Sequence, residues 1–149
     1  MSKPVKTCHP DEPASLAAGL MWDGDVGCVP VVDGGGQLVG MITDRDICMA
    51  AYTRGEPLHT IPVAAAMNKH VVTCRPDDVD RDVVELMAKH RIRRIPVVDD
   101  AQRPVGIVSI NDLAIAASPN GSAKKPEVAP QVVTSALAAI CANRAPALH

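Results

Sequence analysis

Large aromatic side chains are nearly absent from this chain of 149 residues, which has no phenylalanine, one tryptophan and one tyrosine. Proteins that bind single-stranded nucleic acid stack bases on aromatic rings and follow the backbone with clustered basic residues. Here the net charge is −2, and the two rings, Trp22 and Tyr52, stand alone in the sequence. The composition therefore argues against nucleic acid as a partner.

Four further absences narrow the class of protein. No apolar run approaches the roughly 20 residues of a membrane-spanning helix, and the N-terminus lacks the basic and apolar regions of a signal peptide. We therefore expect no membrane partner and a cytoplasmic location. Because no phosphate-binding Walker loop and no nucleophile–base motif is visible, we do not expect an enzyme.

The cysteines lack the Cys-x-x-Cys spacing of zinc ribbons and thioredoxin-like centres. They are Cys8, Cys28, Cys48, Cys74 and Cys141. We predict buried small hydrophobic residues in a reducing compartment. Two alternatives stay open: Cys8 and Cys74 approach each other, or they form a metal site with the neighbouring His9 and His70. Without a spaced ligand set, no metal is predicted.

The chain contains an ungapped internal repeat. Residues 40–46 (Gly-Met-Ile-Thr-Asp-Arg-Asp) recur as 106–112 (Gly-Ile-Val-Ser-Ile-Asn-Asp), and the Val-Pro-Val-Val-Asp of 29–33 recurs as Ile-Pro-Val-Val-Asp at 95–99. Both pairs lie 66 positions apart in the sequence. A repeat of about 60 residues is marginal alone, so the two are expected to pack as one unit.

Hydrophobic periodicity predicts the order strand–helix–strand–strand–helix in each repeat. The first repeat is predicted to have strands at 5–8, 28–32 and 37–43 and helices at 14–22 and 44–52. The second is predicted to have strands at 71–74, 94–98 and 104–109 and helices at 79–90 and 111–117. Helical spacing predicts that Leu16, Leu20 and Met21 are buried.

The predicted domain organisation follows from the repeat and from breaker residues. It comprises a first repeat at 1–54, a connector at 55–66, a second repeat at 67–117, a flexible linker at 118–130, and a C-terminal helix and tail at 131–149. A helical turn is expected near 63–67. The last helix is expected to cover the core or to join a dimer contact.

The duplicated hydrophobic-Pro-Val-Val-Asp and Gly-hydrophobic-x-(Thr/Ser)-x-x-Asp phrases resemble those of the cystathionine-β-synthase (CBS) domain, present here as a tandem pair over about residues 1–117. The resemblance implies an α/β fold in which two βαββα repeats pack around a pseudo-twofold axis. It also implies clefts that bind adenosine-containing ligands, namely AMP, ADP or ATP and sometimes NAD or S-adenosylmethionine. Stand-alone members of the family, including bacterial stress-response proteins, imply a regulatory homodimer with no required cofactor.

Two interpretations of Thr43 and Asp46 follow from their position at a helix start. In one, the two side chains form a capping box and satisfy each other's backbone amides. In the other, the helix N-terminus faces a phosphate while the Asp carboxylate accepts hydrogen bonds from ribose hydroxyls. Ser109 and Asp112 fit both interpretations equally well.

By resemblance, each cleft is shared between the repeats. The implied nucleotide-binding residues are Thr43, Asp46, Lys69, His70, Val71 and Val72 in one cleft, Ser109, Asp112, Lys3, Pro4, Val5 and Lys6 in the other, Met41 and Ile107 against the adenine ring, and Arg93 and Arg94 on phosphates. Aliphatic side chains suit a purine in a chain so poor in aromatics, because buried area counts more than aromaticity.

The repeats differ in the cations they offer to a phosphate. Arg93 and Arg94 carry guanidinium forks that suit phosphate oxygens, whereas the equivalent Gly27 and Cys28 carry none. The alternative is that the arginines merely begin a solvated strand. We predict a non-enzymatic sensor of adenine nucleotides that acts on an unknown protein target. The alternative is a structural or stress-response protein with empty clefts or another ligand, in which thiols do any sensing.

Overall fold

The computed structural model describes residues 5–118 and 128–142, which fall into two compact units. The first unit comprises residues 5–71 and 98–105. The second unit comprises residues 72–97, 106–118 and 128–142. None of the helices in these described ranges is long and apolar enough to cross a membrane.

Helices and strands follow the predicted order closely. They are α1 (Ala14–Gly24), β1 (Cys28–Val32), β2 (Leu38–Thr43), α2 (Asp44–Arg54), α3 (Val63–Ala66), α4 (Asp80–His90), β3 (Arg94–Val98), β4 (Pro104–Ser109), α5 (Ile110–Ala117) and α6 (Pro130–Cys141). The predicted leading strands at 5–8 and 71–74 are wrong in extent. Each is reduced to a single parallel bridge, Cys8 to Val31 and Cys74 to Val97.

The β1–β2 hairpin brings the end of a buried strand to a helix start. All five residues of β1 are buried, and β1 pairs with β2 in an antiparallel register that sets Cys28 opposite Thr43 and Pro30 opposite Met41. Gly36 supplies the positive φ of the turn, at 80°. Since β2 ends at Thr43 and α2 begins at Asp44, the hairpin fixes where this helix starts.

The second hairpin, formed by β3 and β4, reaches the same arrangement without a glycine run. Gln102 adopts the positive φ, at 60°. The Oδ1 atom of Asp99 accepts hydrogen bonds from the amides of Ala101 and Arg103, at 3.0 and 2.9 Å. An Asx-type turn of this kind supplies the bend by side-chain bonding, and β4 then runs directly into α5.

The core of the first unit is built from β-branched and small side chains. The inner face of α1 buries Ala14, Ala17 and Met21, at the i, i+3, i+7 spacing of one helical stripe. The predicted burial of Leu16 is wrong, because this residue lies off that stripe and is 39% exposed. Leu20 is half-buried against the same core.

The C-terminal helix α6 packs against α4 and α5 within the second unit, as expected if it covers the core; the dimer contact stays a prediction. It buries Val133 and Ala136, while Leu137 is 44% exposed and Cys141 is also exposed. Helical spacing predicts that Leu137 and Cys141 share one apolar face with Val133 and Ala136, so this prediction is only partly right. Most of the predicted 118–130 linker, residues 119–127, lies outside the described residues.

Candidate functional site

The start of α2 forms a complete capping box. The amide and the hydroxyl of Thr43 donate to Oδ2 of Asp46 at 2.9 and 2.7 Å, and the Asp46 amide donates back to Oγ1 of Thr43 at 3.2 Å. The capping interpretation is thus confirmed for this pair. The box closes through one carboxylate oxygen only, and Oδ1 of Asp46 makes no hydrogen bond with the described residues.

The start of α5 repeats this geometry almost atom for atom. The amide and hydroxyl of Ser109 donate to Oδ2 of Asp112 at 2.8 and 2.7 Å, and the Asp112 amide donates to Oγ of Ser109 at 3.1 Å. Partial burial acts to raise the pKa of Asp112, but the bonds from Ser109 favour the charged form and the pKa is lowered overall. The carboxylate is therefore an ionised acceptor at neutral pH.

The backbone of residues 67–68 lies against β2. Asn68 and Met41 exchange two hydrogen bonds, from the Met41 amide to the Asn68 carbonyl at 2.9 Å and in the reverse direction at 2.8 Å. Gly40 makes this approach possible, because a Cβ there would lie 2.7 Å from Sδ of Met67. We call Met41, Thr43, Asp46 and residues 69–71 the first site, and all of them belong to the first unit.

The first site contains one buried side chain, that of Met41, and an exposed chain segment at residues 69–70. Met41 is only 8% exposed, so it offers little apolar surface to an adenine ring. Lys69 and His70 are exposed and Val71 is half-buried. The backbone groups of Lys69 and Val71 form no hydrogen bond with the residues that the structure describes. Both residues can therefore present an N–H and a C=O to a ligand.

The second site is the set Arg93, Arg94, Ile107, Ser109 and Asp112, all in the second unit. The Arg93 carbonyl accepts from the Ile110 amide at 2.8 Å, which ties the arginine pair to the start of α5. Arg93 is exposed and Arg94 is half-buried. Within residues 5–118 and 128–142, neither guanidinium is held by a hydrogen bond or an ion pair.

The first site has the equivalent backbone hydrogen bond at its helix start but lacks the two arginines. The Gly27 carbonyl accepts from the Asp44 amide at 3.3 Å, so Gly27 and Asp44 stand where Arg93 and Ile110 stand in the second site. The helix start of the first site thus carries two carboxylates, Asp44 and Asp46. That of the second site carries one carboxylate, Asp112, beside two arginines.

Several predicted site residues lie outside the described residues or in the other unit. Lys3 and Pro4 lie outside the described residues, and Val5 and Lys6 belong to the first unit rather than to the unit of Ser109 and Asp112. Val72 belongs to the second unit, whereas Thr43 and Asp46 are in the first. The contribution of residues 3–6 and of Val72 to ligand binding stays a prediction.

Sequence reasoning missed Asn68 and Gly40. A signal for Asn68 was present, because the repeat offset pairs it with Ser2, and Asn and Ser are both residues whose side chains bond to nearby backbone. Gly40 lay inside the recognised phrase. A glycine is required at this position because Met67 and Asn68 pack against it. Hydrophobic periodicity in the sequence does not reveal that contact.

Burial favours a structural role for three of the five cysteines. Cys8, Cys28 and Cys74 are buried, while Cys48 and Cys141 are exposed. Burial, assisted by the negative charges of Glu12 and Asp78 respectively, raises the pKa of Cys8 and Cys74 to about 11. No group of three or more metal-ligating side chains occurs among the described residues.

A cavity of about 350 Å³ lies between α4 and α6 in the second unit. Its lining residues are Val84, Glu85, Ala88, Gln131, Val132, Ser135 and Ala136. None of these residues belongs to the first or second site.

Two helix starts of this kind, each at the end of a strand in a duplicated hairpin, define a module of two tandem repeats. The sequence model of the CBS domain matches residues 1–52 and 63–118, and the chain belongs to the CBS domain family. It is 41% identical over 123 residues to the CBS domain-containing protein YhcV of Bacillus subtilis, covering 83% of this chain and 86% of that protein.

A solved structure and an enzyme illustrate the range of the family. The CBS domain pair of protein MJ0100, crystallised with 5′-methylthioadenosine and S-adenosyl-L-methionine, has a TM-score of 0.70 and 33% identity, covering 76% of this chain and 88% of that one. Inosine-5′-monophosphate dehydrogenase of Methanocaldococcus jannaschii is 34% identical over 111 residues, which are 74% of this chain but 21% of the enzyme. The α/β fold of two CBS repeats is thus confirmed.

Proposed function

We propose that this protein is a non-enzymatic regulatory module that binds adenine nucleotides at the first and second sites and passes the change to a protein target. The observation that carries the proposal is the duplicated capping box. In the first site it occupies Oδ2 of Asp46 and leaves Oδ1 without a hydrogen-bond partner among the residues that the structure describes. The cap and a ribose contact are therefore compatible, because one carboxylate has enough lone pairs for both.

The adenosine part of the ligand suits the groups around the first site. Ribose hydroxyls are donors that the carboxylate of Asp46 accepts, and the adenine edge needs a backbone N–H and C=O such as those of Lys69 and Val71. The neighbouring structure of MJ0100 holds two ligands that share the adenosine moiety. We propose that the same moiety is the part recognised by this chain.

The phosphate preference comes from the second site. Arg93 and Arg94 are held at the start of α5 without a carboxylate partner among the described residues. AMP, ADP or ATP would neutralise them, whereas the sulfonium of S-adenosylmethionine would add a third positive charge. We therefore propose adenine nucleotides in preference to S-adenosylmethionine at this site, with NAD as the alternative ligand.

A binding role fits the acid–base character of the sites better than catalysis. Asp112 has a lowered pKa, and a general acid or base works best with a pKa near the operating pH. The carboxylate is thus suited to accept hydrogen bonds and not to transfer protons. The alternative, thiol-based stress sensing, is disfavoured at Cys8 and Cys74, since a pKa of about 11 keeps both thiols protonated and poorly nucleophilic.

A thermal-shift panel tests the proposed function. AMP, ADP, ATP, NAD and S-adenosylmethionine are each added to the protein, because a ligand that binds only the folded state raises the melting temperature with concentration. We expect shifts from the three nucleotides that exceed the shift from S-adenosylmethionine. No shift from any of the five compounds would favour the structural alternative.

A further inference from the structure

Asn68 makes an unusual combination of contacts for an exposed residue. Its backbone amide and carbonyl are both bonded to Met41 of β2, at 2.8 and 2.9 Å. Its side-chain Oδ1 accepts from the His70 amide at 2.9 Å. Because the partner is an N–H donor, the side-chain atom that meets it must be the oxygen and not the amide nitrogen. One residue thus links β2 to the chain that follows.

The chain that precedes Asn68 is also fixed by backbone hydrogen bonds. The Met67 amide donates to the Val63 carbonyl at 2.8 Å, and the Val63 amide donates to the Glu12 carbonyl, also at 2.8 Å. Val63 itself is fully buried. The chain therefore leaves a fixed point at Asn68, and residues 69–71 follow without regular secondary structure.

The Asn68 side chain also decides which backbone groups a ligand can use. With the His70 amide occupied by Oδ1 of Asn68, the amides without a protein partner among the described residues of this segment are those of Lys69 and Val71. Adenine presents a ring-nitrogen acceptor beside an amino donor. Recognition of that edge needs a backbone N–H and C=O held at a defined distance from the ribose-binding carboxylate.

We propose that Asn68 is a positioning residue of the first site, which fixes residues 69–71 so that their backbone distinguishes adenine from other purines. The inference rests on the proposed adenosine ligand and adds to it the source of base selectivity. Asn68 acts through the segment and does not contact the ligand. Asp46 holds the ribose, which every purine nucleoside shares, so selectivity and sugar binding reside in different residues.

Inosine is the probe that separates these roles, since its base edge reverses adenine by placing a donor on the ring nitrogen and an acceptor on the exocyclic position. Binding is followed by the NMR amide signals of Lys69 and Val71, which report on the first site alone. We expect the parent protein to prefer adenosine to inosine by on the order of tenfold, as one hydrogen bond exchanged for a mismatch predicts.

Asn68→Ala removes the side-chain acceptor but keeps the backbone bridge to Met41. The preference for adenosine over inosine should fall from on the order of tenfold in the parent protein to about twofold or less in this variant. Asn68→Asp keeps an acceptor oxygen and should restore the preference. Asp33→Ala is the matched control, because Oδ1 of Asp33 makes the same type of bond to the Gly35 amide in the β1–β2 turn. It should leave the preference unchanged.

The possible failures are distinguishable. If Asn68→Ala weakens both nucleosides equally and keeps the preference of the parent, Asn68 has only a structural role and the inference is wrong. If adenosine does not shift the Lys69 and Val71 signals of the parent protein, the proposed function fails at the first site and the inference fails with it.

Discussion

At the scale of single residues, a helix cap can use one oxygen of a carboxylate and leave the other oxygen unbonded. Asp46 shows this most clearly. Its Oδ2 atom closes the capping box with Thr43, while its Oδ1 atom makes no hydrogen bond with the described residues. The two interpretations that the sequence left open are therefore compatible, and we expect a substitution here to affect both the helix and the proposed ligand.

Arg93 and Arg94 allow a sharper test of phosphate binding. We expect the double variant Arg93→Ala/Arg94→Ala to lose AMP affinity by on the order of tenfold or more, since charge-assisted hydrogen bonds are the stronger class. Its adenosine affinity should barely change, because adenosine carries no phosphate. Calorimetric titration of both ligands checks this, and equal losses for AMP and adenosine would contradict the assignment.

The cysteines supply a second prediction at this scale. At the same pH, a thiol pKa of about 11 rather than the ordinary 9.0 lowers the thiolate fraction by about 100-fold. We expect an aromatic disulfide reagent at pH near 8 to modify Cys48 and Cys141 rapidly and Cys8, Cys28 and Cys74 slowly. Five thiols reacting at one rate in the folded protein would contradict the burial of the slow group.

At the scale of elements, the hairpin and the following helix form the repeated structural unit. Each hairpin places a hydroxyl and a carboxylate at a helix start, and the residue just before its first strand, Gly27 or Arg93, supplies the backbone carbonyl that accepts from the first helical amide. This arrangement was predictable from the repeated phrases, since the Pro-Val-Val-Asp and Gly-x-x-(Thr/Ser) spacings fix where the strand ends.

The capping box of α5 should make the stability of the fold depend on pH. The pKa of Asp112 is lowered in the folded state, so its contribution is present above the unfolded-state value of 3.8 and is lost as the pH falls through the folded-state value. We expect the urea midpoint of the wild type to fall more steeply below about pH 5 than that of Asp112→Asn. Asp11→Asn, at an exposed carboxylate, is the control; parallel curves for wild type and Asp112→Asn would contradict the linkage.

Two features of the elements were not predictable from the sequence, because both depend on contacts between residues that are distant along the chain. The exposure of Leu16 depends on which stripe of α1 faces β1, and that stripe is set by the small residues Ala14 and Ala17 rather than by the larger leucine. The role of Gly40 depends on a segment 27 residues further along the chain. Neither fact has a signature in local periodicity, whereas helix starts and turns do.

At the scale of the whole molecule, both aromatic rings of the chain are exposed in the first unit. Trp22 on α1 is 88% exposed and Tyr52 on α2 is 81% exposed, with Met49 at 45%. Tryptophan and tyrosine are enriched at protein interfaces. These helix faces are therefore where we predict that the homodimer forms.

A double variant tests this prediction. Trp22→Ser/Tyr52→Ser should be monomeric by light scattering at concentrations where the wild type is a dimer. Because Trp22 is the only tryptophan, its fluorescence emission in the wild type should also shift to shorter wavelength as the protein concentration rises. A wild type that stays monomeric at micromolar concentration would contradict the dimer.

The central claim, that the two helix starts are adenosine sites, is tested most directly by calorimetric titration of AMP into the wild type, Asp46→Ala and Asp112→Ala. Circular dichroism of each variant separates loss of ligand from loss of fold, and Asp→Asn at the same positions keeps an acceptor for the cap. Losing a charged acceptor costs about 1.5–3 kcal/mol, so each variant should bind AMP at its own site roughly tenfold to a hundredfold more weakly. Folded variants that both bind AMP as tightly as the wild type would contradict the assignment.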